Sequence, residues 1–175
     1  ETALVYINPL SFPWKNPTIA LLGLAFWKWY MGDFKQLGLS RSHSVWRTLI
    51  WATVLTLISK FVLGDLIGPL IDWLTGITPD YSQYQSLIGN FDAVFGFWWK
   101  AMISAGFAEE IIYNGVLLVG LTQILSKSSY GKHVAVIITA VLFGLAHYPQ
   151  GLAGIISTGL IGLTFGYGFY PVSYT

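Results

Sequence analysis

Residues 133–175 contain no Asp, Glu, Lys or Arg, and this uncharged segment constrains the fold more than any other feature of the chain. A helix that crosses a bilayer needs about 20 mostly apolar residues, so the segment can cross twice. Residues 147–151 would separate the crossings, because Pro149 and Gly151 interrupt helices. Charged residues make up 10% of the chain, whereas a soluble domain has about 25%. We therefore predict an integral membrane protein.

Three further apolar stretches precede this segment, at about residues 18–31, 45–73 and 94–125. None alternates as a half-buried strand does, and each is too long for one. Lipid offers no partner to backbone N–H and C=O groups, so an open chain crosses it as helices. The sequence predicts an all-α, polytopic membrane helix bundle with about five spanning helices. We expect residues 1–175 to form one integral-membrane domain whose ends are clipped.

The loops differ in charge, which predicts the orientation of the bundle. Residues 33–47 and 126–133 are basic, whereas residues 76–91 hold Asp80 and no base. Lys and Arg are enriched in cytoplasmic loops. We therefore expect both basic loops on the cytoplasmic or equivalent side and the N-terminus on the other. The basic side chains are Lys35, Arg41, Arg47, Lys127 and Lys132.

The chain has eight Trp residues, and Trp is enriched where a bilayer meets water. An aromatic belt would place one group near the basic loops and another near the opposite interface. The alternative is that the number of Trp residues reflects the apolar composition alone. The first group is Trp27, Trp29 and Trp46, and the second is Trp73, Trp98 and Trp99.

Glu109 and Glu110 are adjacent acids inside an apolar run, "AGFAEEIIYNGVLL". A charge at the bilayer centre costs about 2.5–3.5 kcal/mol on insertion scales, and acids in such positions are by default candidates for function. The alternative is a partly protonated pair hydrogen-bonded to helix carbonyls. Neighbouring residues of an α-helix point about 100° apart, so we expect the two carboxylates to have different tasks.

His147 is the next polar group within the apolar segments, and its depth matches that of the acids. Glu110 lies 17 residues before Lys127, and His147 lies 15 residues after Lys132. These intervals correspond to roughly 25 and 22 Å of α-helix. A short loop makes the two helices antiparallel neighbours, so the acids and His147 are expected to meet, with Phe143 on the histidine's face. The alternative is a histidine at a helix end that meets the headgroups.

Two acids, a histidine and water, without cysteine, indicate hydrolysis by activated water. One glutamate would take a proton from water, and His147 would stabilise the carbonyl oxygen as charge develops. We expect no cofactor. A metal ion on Glu109, Glu110 and His147 is chemically feasible but less favoured than unassisted water, since no His-Glu-x-x-His helix occurs. No basic stretch is dense enough for nucleic acid.

The motifs "EEIIYNG" and, about 30 residues later, "FGLAH" resemble those of the CAAX-protease and bacteriocin-processing family of intramembrane endopeptidases. The family's motifs are Glu-Glu-x-x-x-Arg and Phe-x-x-x-His, and the resemblance covers about residues 35–170. It implies a larger multi-helix bundle with a polar cavity, and hydrolysis of membrane-tethered or prenylated peptides. By this resemblance Glu109 is the activating glutamate, Glu110 its supporting neighbour and His147 the second-motif histidine.

The chain departs from the family's pattern at two places. Asn114 stands at the Arg position of the first motif, and an amide can hydrogen-bond a carboxylate but cannot pair with it by charge. The family's third motif, His-x-x-x-Asn, is absent up to Thr175, and we expect it shortly beyond. Asn114 and Phe143 are therefore assigned supporting roles.

The departures leave a second function open. The chain could be a non-catalytic family member that serves as a subunit or assembly factor of a larger membrane complex, including one that contains pigment. Its aromatic content of 17% suits packing against lipids, pigments or helices. A proton or ion relay is a third alternative, although no pair of broken helices or two-half symmetry supports it.

Overall fold

The computed structural model describes residues 11–39 and 44–173. These ranges are mostly helical and contain no strand, which confirms the all-α prediction. Arg41 lies outside the described residues. Short 3₁₀ turns occupy Lys35–Leu37, Ser82–Leu87 and Tyr148–Gln150. The five longer helices of this part of the chain are α1 Lys15–Met31, α2 Val45–Thr75, α3 Phe91–Ile124, α4 Gly131–Ala146 and α5 Gly151–Ser173.

Three helical segments of the described chain are long and apolar enough to cross a membrane: α2, α3 and Tyr148–Tyr170. Helix α1 has 17 residues and α4 has 16, near the lower limit of about 17 for a crossing. The prediction of about five spanning helices is thus approximate. Large apolar side chains cover the outside of the bundle, as lipid contact requires. Examples are Phe91, Trp46 and Trp29, which are 84%, 77% and 80% exposed.

Local signals fix where several helices begin and end. Gly32 and Gly76 follow α1 and α2 in the left-handed conformation, at φ 82° and 66°, where a residue without Cβ is favoured. The Ser44 hydroxyl accepts from the Arg47 N–H at the start of α2. The Asn90 side chain accepts from the Ala93 N–H at the start of α3, at 3.1 Å. These caps satisfy backbone groups that a helix end leaves free.

Helices α2 and α3 contain π-helical stretches, at Ile58–Ile67 in α2 and at Met102–Ala108 and Glu110–Leu118 in α3. A π-helical hydrogen bond joins residues five apart. Lys60 and Asp65, which are five apart in α2, accordingly form an ion pair on the exposed side of that helix. Such stretches are rare and often occur at functional sites.

Helices α4 and α5 are antiparallel and pack closely through small residues. A Cβ added to Gly144 would lie 2.6 Å from the Ile155 carbonyl oxygen and 3.1 Å from Gly159 Cα. A Cβ added to Gly162 would lie 3.3 Å from Ala140 Cα. Small residues let helix backbones approach in a membrane, where van der Waals contact drives association. This approach fixes α5 against the helix that carries the second motif.

Helices α1 and α3 run parallel and in constant register. Three contacting pairs are each 93 positions apart: Asn16 with Glu109, Gly23 with Val116 and Trp27 with Gly120. The difference between the two residue numbers is the same in every contacting pair, so the two helices point the same way. In an antiparallel pair, the sum of the two residue numbers would be constant instead. Helix α2 therefore returns the chain to the side from which α1 started, as the predicted alternating path requires.

Trp27 departs from the expected aromatic belt. It is 4% exposed and packs with Leu37 and Val119 in a core cluster. Its Nε1 donates to the Asp33 carbonyl oxygen at 3.0 Å. The indole therefore joins the end of α1 to α3, because its N–H finds a partner within the protein.

Candidate active site

Glu109 and Glu110 lie where the two π-helical stretches of α3 meet. Glu109 follows Met102–Ala108, and Glu110 opens the second stretch. A π-helical turn holds more residues than an α-helical one, so successive side chains are separated by less than the α-helical angle. Both carboxylates line the same cavity.

The shared cavity has a volume of about 200 Å³ and lies between α3, α4 and α5. Since a water occupies about 30 Å³ in the liquid, the space admits several water molecules or one peptide group. Apolar side chains form much of its wall, including Phe143 and Phe165. Its polar lining comes from Glu109, Glu110, Tyr113, Asn114 and Thr139.

Each glutamate accepts a hydrogen bond from one amide. Asn16 Nδ2, on α1, donates to Glu109 Oε1 at 2.8 Å. Asn114 Nδ2 donates to Glu110 Oε2 at 2.9 Å, which is the contact expected of an amide at the motif's Arg position. Within residues 11–39 and 44–173 neither carboxylate has an ion-pair partner. One oxygen of each carboxylate therefore remains available to a substrate or to water.

A second and larger cavity, of about 310 Å³, lies on the other side of Glu110. Residues 37–39, helix α2 and helix α5 contribute most of its apolar lining. Glu110 lines both cavities, whereas Glu109 lines only the smaller one of the two. The Glu110 side chain thus stands between a polar chamber and an apolar one.

His147 lies at the level of Glu109 but does not line the glutamate cavity. The Tyr113 and Phe143 rings meet edge to face at 4.9 Å between centroids. Because α3 and α4 are antiparallel, the position four residues after Phe143 lies level with the position four residues before Tyr113. These positions are His147 and Glu109. Phe143 stands between the two, because its ring also meets the His147 ring at 4.9 Å. Phe143 thus contacts the His147 ring and also lines the cavity of the two glutamates.

The hydrogen bond of His147 defines its tautomer. His147 Nδ1 is 2.9 Å from the Phe143 carbonyl oxygen, and a carbonyl only accepts. Nδ1 therefore carries a proton, and Nε2 is the ring atom left for other chemistry. A neutral His147 offers a lone pair at Nε2, and a protonated His147 offers an N–H there.

Two polar residues of the site were missed by the sequence analysis, Asn16 and Thr139. Asn16 lies 93 positions before its partner, and no local pattern signals such a contact. Thr139 precedes Phe143 by four residues and His147 by eight, a spacing that places all three on one face of α4. The described residues include no group of three or more His, Asp or Glu side chains that could hold a metal ion.

Comparison with known protein families finds a similarity in the second half of the chain. Residues 91–172 match the family model described as Rce1-like, type II CAAX prenyl endopeptidase Rce1-like. The matched segment spans α3 and α4 and nearly all of α5, and thus includes both motifs. This match confirms the resemblance predicted from those motifs. No curated protein and no solved structure matches the chain.

Proposed function

From the match of residues 91–172 to the Rce1-like family model we propose that the protein is an intramembrane endopeptidase. It would hydrolyse a peptide bond with a water activated by glutamate. One observation carries the proposal: the first motif's Glu109 and Glu110 and the second motif's Phe143 line a single cavity of water and peptide dimensions.

Glu109 is the base in the proposed reaction. Asn16 holds its Oε1, which leaves Oε2 to take a proton from water. The water oxygen forms a bond to the peptide carbonyl carbon, and the carbonyl oxygen becomes negatively charged. When the C–N bond breaks, the nitrogen takes the proton from Glu109 and leaves as an amine. Glu110, held by Asn114, supports the water from the neighbouring position on α3.

His147 stabilises the negatively charged oxygen in this scheme. Its Nδ1–H is engaged with the Phe143 carbonyl, so the imidazolium donates through Nε2. The ring reaches the reacting carbonyl from the level of Glu109. Phe143 must turn aside or lie beneath the substrate for this contact to form, which makes its ring the divider between base and oxyanion donor.

The substrate class follows the same premise: a membrane-tethered or prenylated peptide, held among membrane lipids. We place the basic loops 33–47 and 126–133 on the cytoplasmic or equivalent side. The chain contains no cysteine, so single cysteines in loop 126–133 and loop 76–90 give a direct test. Labelling of the first by an impermeant maleimide from outside intact cells contradicts this orientation.

Cleavage of a prenylated peptide by the purified protein tests the proposed function. We expect Glu109→Gln to lower kcat by about 10²–10⁴-fold, since general-base catalysis contributes this much. The matched control is Asp92→Asn. Asp92 is an acid in the first turn of the same helix and lines neither cavity, so its neutralisation should leave kcat unchanged. Equal activity of the wild type and Glu109→Gln contradicts the glutamate mechanism.

A second function is favoured by Asn114 and by the surface of α2. Asn114 lacks the charge of the motif's Arg, and the exposed Lys60–Asp65 pair lies within a membrane-spanning helix. Exposed charges in lipid are costly, and a protein partner would relieve that cost. In this alternative the chain is a non-catalytic subunit or assembly factor. Co-purification from native membranes in a stable large complex, with no cleavage of the peptide, supports it.

A further inference from the structure

Thr139 lines the glutamate cavity and carries a buried hydroxyl without a protein partner. The residue is 2% exposed and lines the cavity from α4, opposite the acids on α3. Within the described ranges its Oγ1 makes no hydrogen bond. A buried hydroxyl without a partner is destabilising, so this position calls for a ligand inside the cavity.

Several other helical threonines of this chain do not share the feature. Their hydroxyls donate to the carbonyl oxygen four residues earlier, which is the common way for a helical threonine to satisfy itself. Thr139 has the Ala135 carbonyl at the corresponding place and does not use it. Threonines that form the local bond include Thr56, Thr75, Thr122 and Thr164, at 2.7–3.0 Å.

We propose that the Thr139 hydroxyl positions the reacting water in the glutamate cavity. The inference rests on the proposed function and adds a residue that belongs to neither motif. A water bound there donates one hydrogen bond to a glutamate oxygen and a second hydrogen bond to Thr139 Oγ1. A lone pair of the water oxygen then points to the remaining side of the cavity, where the peptide carbonyl must arrive. Thr139 is a positioning residue, because it orients the water and takes no proton from it.

The geometry of α4 fits this role. Thr139, Phe143 and His147 are spaced by four and share one face of the helix. Along that face the order is water ligand, aromatic divider and oxyanion donor. Glu109 and Glu110 supply the base from the opposite wall. The cavity then has separate partners for the water and for the carbonyl oxygen.

Two variants separate the hydroxyl from the shape of the side chain. Thr139→Val keeps the shape and removes the oxygen, and Thr139→Ser keeps the oxygen. We expect Thr139→Val to lower kcat by about 10- to 100-fold, as a misplaced reactant does. KM should stay unchanged, and Thr139→Ser should retain most of the activity. Thr164→Val is the matched control, since the Thr164 hydroxyl bonds to Leu160 O at 3.0 Å.

The outcomes distinguish this inference from the proposed function. If the wild type cleaves the peptide and Thr139→Val has wild-type kcat, the inference is overturned and the function stands. If the wild type does not cleave, the function fails, and thermal unfolding decides whether the hydroxyl holds a water. A midpoint for Thr139→Val below that of the wild type supports a bound water. A midpoint at or above it overturns the inference, because removing an unpartnered buried hydroxyl is neutral or stabilising.

Discussion

Asn16→Ala is the perturbation that tests the site most directly, because Asn16 lies outside the segment that matches the family. Its amide donates to Glu109 Oε1 at 2.8 Å, and in the proposed reaction this bond fixes which carboxylate oxygen faces the water. Removing the amide leaves the backbone of α3 untouched. The variant therefore asks whether a contact from α1 is part of the catalytic arrangement.

The expected size follows from the type of bond. A hydrogen bond to a charged group contributes about 1.5–3 kcal/mol, and a factor of ten in rate corresponds to about 1.4 kcal/mol. Glu109 is half-buried, so water can replace part of the lost bond and the lower end of the range applies. We expect kcat to fall about 10-fold. Asn16→Asp should be worse, because it sets a second carboxylate against Glu109.

The assay is steady-state cleavage of a prenylated peptide in detergent or lipid nanodiscs. Lys15→Ala, at an exposed neighbouring position, is the control and should leave kcat unchanged. In a Glu109→Gln background, Asn16→Ala should cause no further loss, since the two residues act through one group. Retention of wild-type kcat by Asn16→Ala refutes the reasoning.

Three further predictions concern stability. Asn114→Leu should lower the free energy of unfolding by about 1–3 kcal/mol, because it leaves a carboxylate without its donor; an unchanged denaturation midpoint contradicts this. Gly144→Ala should lower the free energy of unfolding by about 1–3 kcal/mol, because the added methyl group overpacks α4 on α5. Gly96 has open space around it, so Gly96→Ala should be neutral or stabilising by up to about 1 kcal/mol. Equal effects of the two variants on thermal unfolding contradict the packing argument. Hydrogen bonds from Ser82 lower the pKa of the exposed Asp80 from 3.8, so their stabilisation is present above pH 3.8 and is lost as the pH falls through the lower pKa of the folded state. We therefore expect the Ser82 amide proton to exchange faster only at such acidic pH. An exchange rate that does not change with pH, after correction for the intrinsic rate, contradicts this prediction.

The helical fold was predictable because its signal is local. Long apolar runs without alternation leave the backbone no choice but helix in lipid, and α2, α3 and the last helix coincide with such runs. The ends of α1 and α4 were also accessible from the sequence. Helix α1 ends at Met31, where its apolar stretch ends, and α4 ends at Ala146, just before the predicted break at residues 147–151.

The candidate site was predictable in outline and not in detail. Both glutamates and Phe143 line one cavity, whereas the depth of His147 relative to the acids stays a prediction from helix rise. The π-helical stretches that lie on either side of Glu109 depend on hydrogen bonding that the residue pattern does not signal. The position of Phe143 between His147 and the acids depends on side-chain packing across two helices. Neither property follows from periodicity along one helix.

Individual polar residues were the hardest to foresee. Trp27 is of the residue type expected in an aromatic belt, yet the nearby Asp33 carbonyl accepts a hydrogen bond from its N–H inside the protein. Asn16 acquires its role only when α1 docks beside α3. Such contacts join parts of the chain that are far apart in sequence, and they are decided by tertiary structure.

The constant sequence separation between contacting residues of α1 and α3 has a consequence for the synthesis of the protein. Asn16 is synthesised 93 residues before Glu109, which at about 5–20 residues per second is a delay of about 5–20 s. During that time α1 and α2 are synthesised, and Glu109 does not yet exist. This contact between α1 and α3 can therefore form only after Glu109 has been made.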